Sequence, residues 1–135
     1  MTANNTYSKQ EKLKSRKALE QLFAKGKSFS VFPIKVFYTV TDDTALVQAG
    51  VGVSSRIFKK AHDRNKVKRL LREVYRTQKQ PLYSSVASNQ QQLNVFFLYI
   101  GKELPVHADL QIAMEKTLEK LIRKISEPIP NVQQL

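Results

Sequence analysis

Four basic residues spaced four apart, Arg64, Lys68, Arg72 and Arg76, have types and spacing that predict binding chemistry. At about 100° per residue, a helix places them in one slowly drifting row. A single-sign row of this kind suits a polyanion, with nucleic acid as the first candidate and an anionic membrane as the second. The spacing therefore predicts a basic helix face that binds phosphate groups.

A solvated charged face is the structural alternative for this row. Such faces usually mix signs, because opposite charges four apart stabilise a helix, whereas like charges at that spacing cost about a few tenths of a kcal/mol per pair. Here only Glu73 interrupts the basic face, within reach of Arg69 and Arg76, so it is expected to orient a guanidinium. The excess of one sign is more readily explained if a polyanion neutralises it.

Catalytic groups are sparse. A protein nuclease usually needs clustered carboxylates for a metal, or paired histidines. The acids are dispersed, and His62 and His107 lie 45 residues apart. The chain has no cysteine, which excludes disulfides, thiol catalysis and cysteine-ligated zinc. We therefore predict no catalytic residue, no metal site and no cofactor held by the chain alone.

The charge of the whole chain supports a binding role. It has 135 residues with 23 Lys and Arg against 11 Asp and Glu, a net charge of +12. The excess lies in residues 1–27, with seven basic against two acidic groups, and in residues 51–76, with nine against two. Two concentrated blocks indicate a defined surface rather than general solubility.

Length and hydropathy give the organisation. The length fits one domain, no apolar run is long enough to span a membrane, and the N-terminus lacks the apolar core of a signal peptide. We expect a cytoplasmic protein with a flexible arm over residues 1–12, one nucleic-acid-binding domain over 13–127 and a tail over 128–135.

Apolar periodicity supplies the elements that must position the basic face. It predicts the order α-β-β-α-β-α, an α+β fold with one layer of helices on a small sheet. The first predicted helix begins at Ser15 and ends at Gly26, and strands 34–40 and 45–53 follow, joined by a turn at Asp42-Asp43. A helix over 62–78, capped by Asp63, leads through a connector over 77–92 to a strand over 93–100 that is covered on both faces. The last helix is capped by Asp109 and ends before Pro128.

The run from Arg64 to Arg76, RNKVKRLLREVYR, resembles the signature helix of the bacterial ribonuclease P protein component, R-N-R-x-K-R-x-x-R-E. The strand Gly50-Val51-Gly52-Val53 and the early stretch from Leu19 to Ser28 also resemble that family, so the resemblance covers roughly residues 13–125. Lys66 stands where the family usually has arginine, and Leu19 stands where many members have an aromatic residue.

This resemblance implies a function and a fold. It implies the protein subunit of a ribonucleoprotein that cleaves the 5′ leader from precursor tRNA, with the RNA subunit and its bound Mg²⁺ carrying catalysis. The implied partners are ribonuclease P RNA and the leader, with no membrane and no obligate protein partner. The implied fold is a ribosomal-protein-S5-domain-2-like α/β sandwich with a left-handed βαβ crossover, although right-handed crossovers are the general rule.

The candidate site residues fall into three groups. The signature helix contributes Arg64, Asn65, Lys66, Lys68, Arg69, Arg72 and Arg76, and the basic loop contributes Arg56, Lys59 and Lys60. The resemblance places a leader cleft between the first helix, the sheet and the signature helix, with Phe23, Phe37, Lys35, Leu19, Lys14 and Arg16 as its candidates. Aromatic rings there would stack on bases of single-stranded RNA.

Other aromatic residues have other expected places. Tyr75, Phe97 and Tyr99 are expected in the core, whereas Phe58 either stacks on RNA or anchors the basic loop.

Two other classes of protein compete with this interpretation. A basic RNA-binding protein, such as a ribosomal protein or a ribosome-assembly factor, shares the size and charge but lacks the signature helix together with the cleft residues. A membrane-surface helix would have to leave its apolar face unburied, whereas the sheet needs that face as cover.

Overall fold

The computed structural model describes residues 13, 16–41, 47–89 and 91–126. Within them the chain forms α1 (Arg16–Lys25), β1 (Lys27–Val31), β2 (Ile34–Thr41), β3 (Val47–Val53), α2 (Ala61–Arg76), α3 (Gln80–Ser88), β4 (Gln92–Tyr99) and α4 (His107–Ser126). The predicted α+β class with a small mixed sheet is confirmed. The arm, the tail and the predictions for Lys14, Ser15, Asp42-Asp43 and Pro128 lie outside the described residues.

The four strands form one sheet in the order β1-β2-β4-β3. The β1–β2 and β2–β4 pairs are antiparallel, and the β3–β4 pair is parallel. A parallel pair needs a crossover, and α2 and α3 supply it. The predicted βαβ unit is therefore present, while the left-handed sense implied by the resemblance stays a prediction.

Helices lie on both faces of the sheet, so the prediction of one helical layer was wrong. On one face, the Tyr75 ring of α2 lies 5.3 Å from the Phe97 ring, and lysines of α4 lie over the Phe29 ring of β1. On the other face, Phe23 of α1 contacts the rings of β2 and β4. Because alternate side chains of a strand point to opposite faces, the sheet offers a surface to α1 on one face and to the other three helices on the other.

Strand β4 was expected to be covered on both faces, but its burial alternates. Leu93, Val95, Phe97 and Tyr99 are buried, whereas the residues between them are only partly buried. The reason is that the short helix α1 covers only part of the second face. That partial cover leaves an open surface beside α1.

The expected connector 77–92 contains a helix, α3, which the prediction missed. Its polar composition and Pro81 suggested a loop, but proline is tolerated in the first turn of a helix, where no internal N–H bond is lost. Leu82 and Val86, four apart, are both buried and hold α3 against the core. A single pair of buried residues four apart was too little for a clear period.

Strand β1 was also missed, since it has only five residues and exposes two serines. It pairs with β2 from Lys27↔Tyr38 to Val31↔Ile34. Helix α2 begins at Ala61 with Lys60 at the cap position and no side-chain cap, so the predicted Asp63 cap was wrong. Asp63 lies in the first turn instead, where its charge complements the helix dipole.

Candidate nucleic-acid interface

Helix α2 separates an apolar face from a basic one. Val67, Leu71, Val74 and Tyr75 are buried, while Asn65, Lys66, Arg69 and Arg72 are exposed and Arg64, Lys68 and Arg76 are half-buried. The core therefore fixes the helix by one side and turns the predicted row outward. The structure exposes four of the seven signature residues on this outward side and leaves Arg64, Lys68 and Arg76 half-buried.

Arg64 connects the helix to the basic loop before it. Its Nη1 donates hydrogen bonds to the carbonyl oxygens of Phe58, at 2.8 Å, and Lys59, at 2.9 Å. A guanidinium has five N–H donors, so others remain for a ligand. These bonds hold the loop against the first turn of α2, with Lys59 and Lys60 exposed beside the basic face. A loop-positioning role for Arg64 was not visible in the sequence.

Phe58 anchors this loop. Its side chain is only 7% exposed, and its ring centroid lies 6.0 Å from that of Tyr99. Of the two interpretations left open for Phe58, the structure supports the anchor. Arg56, whose backbone N–H donates to the Ser54 hydroxyl, is exposed on the same loop.

Two hydrogen bonds join Arg76 to the Glu73 carboxylate. Arg76 donates from Nε to Oε1 at 3.2 Å and from Nη2 to Oε2 at 2.7 Å. These bonds lower the pKa of the Glu73 carboxyl and raise the pKa of Arg76. The predicted guanidinium orientation is therefore present at Arg76, while Arg69 stays unpaired among the described residues.

The cleft beside α1 has an aromatic floor. The Phe23 ring meets Phe37 edge-on with centroids 5.1 Å apart, and it meets Phe96 in the same way at 5.2 Å. Phe37 and Phe96 are register partners on β2 and β4. Phe23 remains 49% exposed despite both contacts. The three rings therefore form a surface that is packed inside and open to a ligand outside.

Lys35 supplies a cation to this surface. Its Nζ lies 5.2 Å from the Phe37 ring centroid, within the range of a cation–π contact. Leu19 and Arg16 precede Phe23 by four and seven residues, so they share its side of α1. The structure thus brings the predicted cleft residues Phe23, Phe37 and Lys35 together and places Leu19 and Arg16 along the same helix side.

Phe96 is a cleft residue that the sequence analysis missed, and two glycines of β3 accommodate it. A Cβ on Gly52 would lie 2.5 Å from the Phe96 Cζ, and a Cβ on Gly50 would lie 3.0 Å from its Cδ1. The glycines are therefore needed for the close approach of a ring. The sequence signal that could have identified Phe96 was strict alternation along β4, which places Phe96 on the face opposite the buried Phe97.

Across the described ranges, no three His, Asp or Glu side chains lie close enough to hold a metal ion. None of the helices in these ranges is both long and apolar enough to cross a membrane. The arrangement can bind an anionic, base-bearing polymer.

Comparison with known proteins decides the family. The family model described as Ribonuclease P matches residues 7–125. The chain belongs to the ribonuclease P protein family. It is 33% identical over 125 residues to the ribonuclease P protein component of Porphyromonas gingivalis strain W83, covering 90% of this chain and 91% of that protein. It is 35% identical over 107 residues to that of Chlorobium phaeobacteroides, covering 72% and 73%.

The fold agrees with a solved ribonuclease P protein. The Staphylococcus aureus RNase P protein superposes with a TM-score of 0.62 at 19% identity, covering 84% of this chain and 96% of that one. Membership makes the chain a protein component of an endoribonuclease complex that acts in tRNA 5′ maturation, with ribonuclease P RNA as its general partner. A ribosomal protein or assembly factor is not favoured.

Proposed function

We propose that the chain binds ribonuclease P RNA through the basic side of α2 and the loop before it, and holds the precursor tRNA leader in the aromatic cleft. The observation that carries the leader assignment is the open ring cluster of Phe23, Phe37 and Phe96, with Lys35 beside it. Single-stranded RNA is bound by this combination of stacking rings and cations. Cationic neutralisation supplies much of the affinity for both RNAs.

In this proposal the chain positions RNA and the RNA subunit cleaves it. The proposal assigns the catalytic Mg²⁺ to the RNA, as the resemblance to the family implies. The chain acts in the cytoplasm, without a membrane and without an obligate protein partner. The one-domain organisation, with an arm before residue 13 and a tail after residue 127, is part of the same proposal.

Reconstitution with ribonuclease P RNA tests the assignment. The chain is expected to raise the rate of precursor tRNA cleavage at low Mg²⁺ concentration. No stimulation over the RNA alone would overturn the proposal.

The leader assignment has its own test in Phe37→Ala. Stacking on an aromatic ring contributes roughly 1–3 kcal/mol per base, so the holoenzyme should bind precursor tRNA about fivefold to a hundredfold more weakly, with mature tRNA little changed. Phe32→Ala is the matched control, because Phe32 is 73% exposed and makes no ring contact with the cluster. Equal losses for precursor and mature tRNA would assign Phe37 to packing instead.

A further inference from the structure

A second basic surface lies where β1 begins and where α1 and α4 both end. It encloses a cavity of about 300 Å³. The polar residues lining the cavity are Lys25, Lys27, Thr39, Gln91 and Lys124. Among the described residues, no acidic side chain lines it and none forms an ion pair with these lysines. We call this site, together with Lys120, the lysine pocket.

The lysines from α4 are held in place by an aromatic ring. The Nζ of Lys120 lies 5.2 Å from the Phe29 ring centroid, and the Nζ of Lys124 lies 5.8 Å from it. Two ammonium groups over one ring repel each other, so the ring contact offsets only part of the cost. A bound anion between the ammonium groups would remove the remaining repulsion.

The distribution of charged residues along α4 also favours a bound anion. Lys120 and Lys124 follow Lys116 at four-residue spacing, which keeps the three on one side of the helix. Glu115 and Glu119 instead line a groove with residues of α3 and the turn before it. The fold therefore turns Lys120 and Lys124 toward the Phe29 ring, and Glu115 and Glu119 toward the groove beside α3.

The helix dipole is the ordinary explanation for lysines at helix ends. Lys25 and Lys124 lie in the last turns of α1 and α4, where a C-terminus carries about half a negative charge. Two such ends supply roughly one negative charge. Four lysines therefore leave a surplus of about three positive charges, which the dipoles do not explain.

This surface is separate from both sites already described. Strands β1 and β3 are opposite edges of the sheet, about 14 Å apart at the usual strand spacing. Helix α4 covers β1 and β2, whereas α2 packs over β3. Phe29 points to the face opposite Phe37, so Lys120 and Lys124, which lie over the Phe29 ring, are across the sheet from the rings of the aromatic cleft.

We propose that the lysine pocket binds a backbone phosphate of RNA, as a third contact beside the basic side of α2 and the cleft. The ligand chemistry is a phosphodiester held by ammonium groups, with the Thr39 hydroxyl available as a further donor. The inference rests on the proposed RNA binding of the chain. The two possible sources of the phosphate are ribonuclease P RNA and precursor tRNA.

The test measures RNA affinity between 50 and 200 mM salt for Lys27→Gln, Lys124→Gln and the double variant. Each phosphate contact contributes about a 3.5-fold fall in affinity over that range. Because the lysine pocket holds one phosphate, the total fall should shrink by about 3.5-fold for the double variant and by up to that factor for each single variant. Lys102→Gln, at an exposed turn beyond the other end of β4, is the single-charge control and should change the fall less than twofold.

Two arms identify the source of the phosphate. A reduced salt dependence with ribonuclease P RNA alone assigns it to that RNA. A reduction only when precursor tRNA binds the assembled holoenzyme assigns it to the tRNA. An unchanged salt dependence in both arms, or an equal change in Lys102→Gln, overturns the lysine pocket. Wild-type stimulation of cleavage is measured in parallel, so failure of the proposed function is distinguishable from failure of this site.

Discussion

Replacing Arg64 with alanine should destabilise the protein, which separates this residue from the rest of the signature helix. Its Nη1 bonds to the Phe58 and Lys59 carbonyl oxygens join the basic loop to α2. Arg69 is exposed and makes no ion pair with any described residue. The two arginines therefore lie on one helix, but in the free protein Arg64 holds the basic loop and Arg69 does not.

The structure sets the expected size of the effect. A hydrogen bond from a charged donor contributes roughly 1.5–3 kcal/mol, and less where water can replace it. The Phe58 bond is partly buried and the Lys59 bond is exposed, so we expect a total loss of about 1–2 kcal/mol. For a domain of this size, that lowers Tm by roughly 3–10 °C. Arg69→Ala should stay within about 0.5 kcal/mol of wild type.

Thermal unfolding of the free protein and RNA affinity at low temperature are measured together. Arg64→Ala is expected to lower Tm and to weaken RNA binding through the displaced loop. Arg69→Ala is expected to weaken RNA binding with Tm unchanged. A wild-type Tm in Arg64→Ala, with an affinity loss equal to that of Arg69→Ala, would refute the loop role and make Arg64 a direct RNA contact.

Two further predictions concern the sheet. Gly52→Ala should lower the free energy of unfolding by about 1–3 kcal/mol and weaken leader binding, because its Cβ forces the Phe96 ring to move. Gly50→Ala is the milder control, and equal unfolding free energies for the two variants would contradict the steric argument. Burial and the nearby Glu103 raise the pKa of Tyr99, so its contribution to stability is full below about pH 10 and is lost as pH rises toward the folded pKa. Melting curves from pH 8 to 11 should show this loss in wild type and not in Tyr99→Phe.

The sequence predicted the elements whose apolar period is long. Helix α2 has five apolar residues at helical spacing, and the strand around Phe37 alternates cleanly, so both were predicted within two residues of their bounds. Helix α3 and strand β1 were missed because each is held by contacts to the rest of the fold rather than by its own pattern. In α3, Leu82 and Val86 are enough only because a core already exists to receive them.

The candidate site was predictable in composition but not in arrangement. The family resemblance implied that Phe23 and Phe37 line a cleft, but Phe96 is 59 residues beyond Phe37 and reaches it only through the β2–β4 register. The carbonyl partners of Arg64 were hidden for a related reason, since backbone atoms leave no trace in a residue pattern. Long-range register and main-chain contacts therefore account for what the sequence left out.

The basic side of α2 is stable without RNA because the opposite side is deeply buried. Each like-charge pair four apart costs about 0.2–0.5 kcal/mol, and the row Arg64, Lys68, Arg72 and Arg76 contains three such pairs. Burial of one Val, Leu or Tyr side chain contributes roughly 1.5–3 kcal/mol, and α2 buries four such side chains. The core thus exceeds the repulsion several-fold, so the helix presents its charges already ordered. RNA bound there, as proposed, would relieve the repulsion without having to fold the helix.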